Sequence, residues 1–162
     1  MATPLLRGFP PVVDDDARLL ILGSFPSVLS LESGQYYGNP RNAFWSITGE
    51  LFGFDPSAPY ETRLAALQSA GVALWDVLHK CRRAGSADAK IDPKSVVAND
   101  FRGLFGSYPS ITRVVFNGSA ANRLYARLVD IDMDHLTLPS SSPARAMPAG
   151  HKLKAWRVIA PS

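Results

Sequence analysis

Four short stretches of the chain are apolar at nearly every position: RLLILG from Arg18 to Gly23, VALW from Val72 to Trp75, RVVF from Arg113 to Phe116 and HLTL from His135 to Leu138. A strand covered on one face alternates apolar and polar residues, whereas a strand covered on both faces has no polar side, so these runs predict buried strands. The segments between them carry helical spacing. Asn42 to Phe52 follows a proline and holds Phe44, Trp45, Ile47, Leu51 and Phe52; Tyr60 to Ala70 holds Leu64 and Leu67. Ser95 to Tyr108 carries Val96, Val97, Phe101, Leu104 and Phe105, and Ser119 to Val129 carries Ala120, Leu124, Tyr125 and Leu128. Strands alternating with helices indicate right-handed crossovers within a parallel sheet that has helices on both faces. The expected fold class is α/β, a three-layer α/β/α sandwich with a central four-stranded parallel sheet. Repeats and low-complexity tracts are absent from the sequence, so residues 1–162 are read as a single domain with residues 1–16 as an N-terminal extension.

In folds of this kind ligands bind beyond the carboxyl ends of the strands. The first run leads into Ser24-Phe25-Pro26-Ser27, the second into Asp76 and the basic HKCRR, the third into Asn117-Gly118-Ser119, and the fourth into LPSSSPARA from Leu138 to Ala146. All four exits are polar and belong to one edge of the expected sheet. A site is implied there.

Composition narrows what that site serves. A chain of 162 residues with 46% apolar and 19% charged residues buries a core without disulfides or structural metal. No apolar run is long enough to cross a bilayer, and MATPLLRGFPP lacks the pattern of a secretory signal, so a cytoplasmic protein with no membrane partner is expected. The single cysteine, Cys81, has no internal partner, and no Cys/His grouping has zinc-ligand spacing. No metal or organic cofactor is expected. The net charge of +3 suits a phosphate backbone, and Arg41, Lys80, Arg82, Arg83, Arg145, His151, Lys152, Lys154 and Arg157 fall near the loop-like stretches.

The most unusual stretch is GQYYGNPRNAFW, Gly34 to Trp45, which crowds aromatic rings and amides into a segment without periodicity. Aromatic faces beside convergent amides suit a flat, hydrogen-bonding ring such as a nucleobase. Tyr36 and Phe44 are the candidate stacking residues; the alternative is that they, and Trp45 above all, are core. Asn42 reads as a helix N-cap. In LPSSSPARA, proline-bracketed serines make a stiff turn whose hydroxyls and N–H groups can hold a phosphate, with Arg145 adding a cation, although an ordinary surface turn has the same composition. Asn117-Gly118-Ser119 reads as a helix start capped by Ser119 or Asn117, and its orphan N–H groups suit an anion.

Taken in order, LILGSFPSVLSLESGQYYGNPRNAFW, GVALWDVL, VVFNGSAA and LPSSSPA resemble the uracil-DNA glycosylase superfamily from Arg18 to about Trp156. The resemblance is closest to the hypoxanthine-DNA glycosylases, or DNA-deoxyinosine glycosylases, which are related to the mismatch-specific uracil branch. It implies a uracil-DNA glycosylase-like fold and hydrolysis of the N-glycosidic bond of a deaminated base, most simply hypoxanthine, in base excision repair, with no cofactor. The partner implied is DNA containing a deaminated base, bound by a monomer. Uracil or mismatch excision is the alternative within the class. The departures favour the deoxyinosine branch. Phe25 stands where mismatch-specific enzymes have an asparagine, no aspartate occurs between Ser24 and Trp45, and Leu138 replaces the histidine that heads the last loop in other branches.

The resemblance also distributes roles. Asn39 is the leading catalytic candidate: its amide oxygen can hold a water against the anomeric carbon, and an oxocarbenium ion is electrophilic enough that orientation suffices. A turn residue before proline is the competing reading. Asp76 stands where related uracil enzymes carry an asparagine; a carboxylate can only accept, and hypoxanthine offers a ring N1–H. A backbone N–H at Ser24 or Phe25 would then donate to the base's O6, Phe44 would stack on the extruded ring, and Arg145 would fill the vacated space or bind phosphate. Asn117, Gly118, Ser140 and Ser142 are the further DNA contacts expected. Asp76 capping a helix or pairing with Arg82 or Arg83 is the bland alternative. Two rivals come from other classes. One is a noncatalytic DNA binder on the same fold. The other is a serine hydrolase using Ser24 with His79, His135 or His151, which lacks the Gly-x-Ser-x-Gly elbow.

Overall fold

Three of the four apolar runs become strands buried on both sides, whereas HLTL forms an edge strand buried only at Leu138. The computed structural model describes residues 3–161, so the first two residues and the last of the expected domain lie outside what is described. In chain order the elements are β1 (Leu5–Arg7), β2 (Leu19–Gly23), α1 (Val28–Ser33), α2 (Phe44–Phe52), α3 (Tyr60–Ser69), β3 (Val72–Asp76), β4 (Leu78–Arg82), β5 (Val97–Ala98), α4 (Phe101–Ser107), β6 (Arg113–Asn117), α5 (Ser119–Leu128), β7 (Asp134–Leu138) and α6 (Ala149–Trp156). Strands β2, β3, β6 and β7 form a four-stranded parallel sheet in the order β3-β2-β6-β7. Side chains alternate between its faces: Leu20, Leu22, Ala73, Trp75, Val114 and Phe116 pack with Phe101 of α4 and Tyr125 of α5. Ile21, Val72, Leu74 and Val115 pack instead with Trp45, Ile47 and Leu51 of α2, Leu67 of α3 and Trp156 of α6. This is the expected three-layer sandwich. Its register sets Gly23 level with Asp76, and Asn117 level with Leu138, so the strand ends share one edge.

Three expectations need correction. The basic HKCRR is not a loop: its first four residues lie in β4, which pairs antiparallel with β1 and β5 in a second, three-stranded sheet, and Arg83 follows directly. The described part of the expected N-terminal extension, residues 3–16, is likewise not a loose appendage, because β1 pairs with β4 and Val12 exchanges two 2.9 Å backbone hydrogen bonds with Leu74 at the edge of the main sheet. The helix read from Ser95 to Tyr108 is confined to α4. Asp100 accepts the Gly103 N–H at 2.9 Å and fixes the helix start there, while Val97–Ala98 upstream is drawn into β5. Among the described residues no helix is long and apolar enough to cross a membrane.

Two features of the core position the polar edge. Gly49 in α2 lets the following turn pass close: a Cβ there would stand 2.8 Å from the Phe54 carbonyl oxygen. Trp156, fully buried, donates its indole N–H to the Pro139 carbonyl at 2.9 Å and so ties α6 to the segment leaving β7. Replacing Trp156 with Phe keeps an aromatic ring but leaves that carbonyl unpaired and opens space in the core. Chemical denaturation is expected to show a loss of about 1–3 kcal/mol; unchanged stability would mean the indole bond does not anchor this segment.

Candidate active site

A cleft with about 250 Å³ of open space lies over the carboxyl edge of the main sheet. Its walls are Ser24 to Ser27 after β2, Tyr36, Tyr37, Asn39 and Asn42 before α2, Asp76 at the end of β3, Ser86 to Asp88, Asn117 after β6, and Ser140 to Ala144 after β7. The fold thus brings together Asn39, Ser24, Phe25, Tyr36, Asp76, Asn117, Ser140 and Ser142 from stretches far apart in sequence. Phe44, Gly118 and Arg145 do not line it.

Asp76 dominates the floor. It ends a strand buried at all five positions, is itself only 5% exposed, and its carboxyl group accepts no hydrogen bond from any described residue. Burial pushes its pKa up from 3.8 to about 7; the nearby Asp88 charge pushes the same way and Arg83 opposes them. The expected pairing with Arg82 or Arg83 does not form. Arg82 donates to the Thr3 carbonyl, and Arg83 donates to the carbonyls of Gly85 at 2.6 Å and Pro26 at 2.7 Å. Gly23 opens the space above the carboxyl group, since a Cβ at that position would lie 2.6 Å from Asp76 Oδ1.

Phe44, the expected stacking residue, is fully buried one layer behind the floor. The ring that meets the cleft is Tyr37, stacked on Phe44 at 3.9 Å between centroids and 23° between planes. Helical spacing put Phe44 on the inner face of α2, which is why it cannot reach the opening. Tyr36 forms part of the wall, but its hydroxyl is turned away to donate to the Pro10 carbonyl at 2.8 Å, and burial raises its pKa. Its carbonyl accepts the Trp45 indole N–H at 3.0 Å, which fixes the segment between α1 and α2 against the core.

Asn39 lies on the cleft wall with its Oδ1 accepting the Arg41 N–H at 3.0 Å. That bond holds the side chain in a turn and leaves the second lone pair of the oxygen available. Asn42 is not the N-cap of α2, a position held by Ala43; its amide oxygen accepts the Phe44 N–H at 2.9 Å and fixes the turn that leads into the helix.

The loops are braced from behind by buried cations. Arg83 sits over the Phe25 ring at 5.2 Å and grips the Pro26 carbonyl, fixing the first loop. Ser24 donates to Asp88, and Ser86 accepts the Val28 N–H at 2.9 Å, so the segment after β4 closes over that loop. Among the described residues no histidine lines the cleft, and Ser24 is engaged with a carboxylate, which removes the serine-hydrolase arrangement. On the opposite wall, buried Lys152 donates to the Ser142 carbonyl at 2.8 Å. Asn117 caps no helix. Its amide donates to Ser141 Oγ and accepts the Ser141 N–H, both at 2.9 Å, and joins the ends of β6 and β7. The N-cap of α5 is Gly118, whose φ of 97° and close approach to Ser140 exclude a side chain. The Ser140 and Ser142 hydroxyls accept the N–H groups of Ser142 and Ala144 at 3.1 and 3.2 Å, shaping the turn. Arg145 is exposed beyond it, outside the cleft lining.

The sequence reading missed Tyr37, Ser141, Ser86, Asp88 and the bracing roles of Arg83 and Lys152. A doubled tyrosine and a triple serine signalled the right segments but not which member faces inward.

A raised carboxyl pKa has a cost in the folded state. Below pH 3.8 Asp76 is protonated whether folded or not; above its folded value of about 7 the fold must hold a buried charge, so stability is lost as pH rises between the two. Asp76→Asn is therefore expected to raise the melting temperature at pH 8, by at most about 4 kcal/mol of stability, with the gain vanishing near pH 4. A pH-independent gain, or none, would show that Asp76 is not the group carrying this penalty.

Comparison with known proteins now adds to the geometry. Residues 10–160 match the sequence profile of the uracil DNA glycosylase superfamily. The chain is 37% identical over 154 residues to a protein named hypoxanthine DNA glycosylase in Methanosarcina acetivorans, covering 94% of this chain and 96% of that one. It is 36% identical over 151 residues to a protein of the same name in Methanosarcina barkeri, covering 93% and 94%. A solution NMR structure of a Methanosarcina acetivorans protein, provisionally named a uracil DNA glycosylase, matches with a TM-score of 0.82 and 36% identity over 96% of each chain. The match over most of the chain and the identity to these relatives show that the chain belongs to the uracil DNA glycosylase superfamily.

Proposed function

We propose that the protein is a monofunctional DNA glycosylase that acts as a monomer and hydrolyses the N-glycosidic bond of hypoxanthine in DNA. The observation that carries this reading is Asp76: an acceptor-only group, buried and unpartnered, at the floor of a cleft rimmed by polar loops. The names of the two Methanosarcina relatives agree with it.

The substrate nucleotide must first leave the duplex, which costs a few kcal/mol and least for a poorly paired lesion. The everted base enters the cleft beside Tyr37, and its ring N1–H donates to the Asp76 carboxylate. As the glycosidic bond breaks, negative charge gathers on the departing base and positive charge on the sugar. Asn39, held by its turn at the cleft wall, orients a water toward the anomeric carbon. The braced walls exclude bulk solvent, and no added cofactor is needed for water to capture an oxocarbenium ion. The Ser140 to Ala144 turn, fixed by Lys152 and Asn117, lies where it can meet the backbone flanking the everted nucleotide, with Arg145 outside as a rim cation.

Duplexes carrying hypoxanthine, xanthine, uracil or mismatched thymine test the reading directly. The wild type is expected to release free hypoxanthine fastest, and Asn39→Ala to slow single-turnover release by roughly 100-fold. Binding without base release would identify a noncatalytic binder, and equal rates for both proteins would displace Asn39.

The pH profile tests Asp76 separately. Accepting a ring N–H requires the ionised form, so kcat/KM for hypoxanthine is expected to fall as pH drops through about 7. In Asp76→Asn that limb should disappear. A wild-type rate that instead falls as pH rises through the same value would make Asp76 a proton donor to the leaving base.

A further inference from the structure

Tyr37 is the one non-glycine residue among those described that adopts a positive φ, 54°. A bulky residue in this region is strained, and such strain persists where the surroundings require a side chain to be aimed in one direction. Here the ring is clamped on Phe44, and the hydroxyl is buried with no hydrogen-bond partner among the described residues. It projects over Gly23 at the floor of the cleft. A Cβ placed on Gly23 would be 3.3 Å from the Tyr37 hydroxyl oxygen and 2.6 Å from Asp76 Oδ1, so the two oxygens lie side by side against Gly23, and both residues line the cleft. Asn117 beside it is held in place by one bond from each end of its amide to Ser141, and makes no bond to the phenol within hydrogen-bonding geometry. Burial and then the Asp76 charge raise the Tyr37 pKa, outweighing the adjacent Asn117 amide, which pulls the other way, so the phenol stays protonated as a donor.

A carboxylate accepts but cannot donate, whereas a phenol fixed in its protonated form donates. Deamination changes a base in two adjacent places: an amino group becomes a carbonyl, and the neighbouring ring nitrogen gains a hydrogen. The product edge therefore presents an N–H beside a C=O. We propose that Tyr37 is a specificity-determining residue, its hydroxyl donating to the exocyclic carbonyl oxygen while Asp76 accepts from the adjacent ring N–H, so that the pair reads the edge deamination creates. The parent amino base fits poorly, since its ring nitrogen turns a lone pair toward the carboxylate. This assignment rests on the glycosylase reading and replaces the first-loop backbone N–H as the donor to the carbonyl.

The test uses duplexes carrying hypoxanthine or its 6-thiocarbonyl analogue opposite thymine, with single-turnover release measured for wild type and Tyr37→Phe. The thiocarbonyl keeps the ring N–H but is a weaker acceptor, so the wild type should prefer hypoxanthine by roughly tenfold. Tyr37→Phe should release hypoxanthine roughly 10- to 100-fold more slowly and treat the two substrates alike. Its melting temperature should be unchanged or higher, because the free protein loses no hydrogen bond. The same preference in both proteins, or a lowered melting temperature with both substrates slowed equally, overturns the assignment alone. Release of neither base by the wild type overturns the glycosylase reading and the assignment with it.

Discussion

A parallel sheet covered on both faces leaves little room for polar side chains along its strands. In this chain β2, β3 and β6 are apolar throughout their middles, and the polar groups that matter stand where those strands stop: Gly23 and Ser24, Asp76, Asn117. Because the strands are parallel and in register, these stops fall along one edge. The chain must then spend its connections on walls for that edge. The left-handed Tyr37 backbone and the Gly118 cap both occur in segments that adjoin this opening.

Those walls are not held by salt bridges. Arg83 and Lys152 are both buried, and both spend their charge on backbone carbonyls of the loops that flank the cleft. Neither cation forms an ion pair with Asp76, and the Arg83 charge only partly offsets the burial that raises the Asp76 pKa, so the floor keeps its acidic group while the walls gain rigidity. Such an arrangement separates two tasks that one positive charge would confuse. Buried cations fix shape, and exposed ones such as Arg145 remain free to meet phosphates at the rim.

The legible parts of the sequence were those with a strong physical period or a residue out of keeping with its run. Four continuous apolar runs gave the main sheet, and an aspartate closing VALWD stood out as a polar residue on a buried strand. Strand β4 was hidden because only Leu78 and Cys81 point inward, leaving His79, Lys80 and Arg82 to read as a basic loop. Helices α1 and α6 were hidden by shortness and by small or polar residues. At the site, composition located each segment but not its orientation. The positive φ of Tyr37 turns it, and not Tyr36, toward the cleft floor, and the turn of three serines buries Ser141 between its neighbours. Nothing in a run of identical residues encodes which of them faces inward; tertiary packing decides.

Among the described residues, none hydrogen-bonds the Asp76 carboxyl or the Tyr37 hydroxyl at the cleft floor. Each is penalised by burial, and the penalty is what makes the site selective. A ligand that supplies both a donor and an acceptor at the right edge relieves it, whereas one lacking either leaves a buried group unpaired. Sites built to hydrogen-bond a ligand reject analogues without the matching group by factors of about 10⁴ to 10⁵, far more than shape alone achieves. Stability surrendered by holding Asp76 at the end of a buried strand is thus converted into discrimination, and filling the floor with an apolar side chain would strengthen the fold while abolishing the means of telling one base from another.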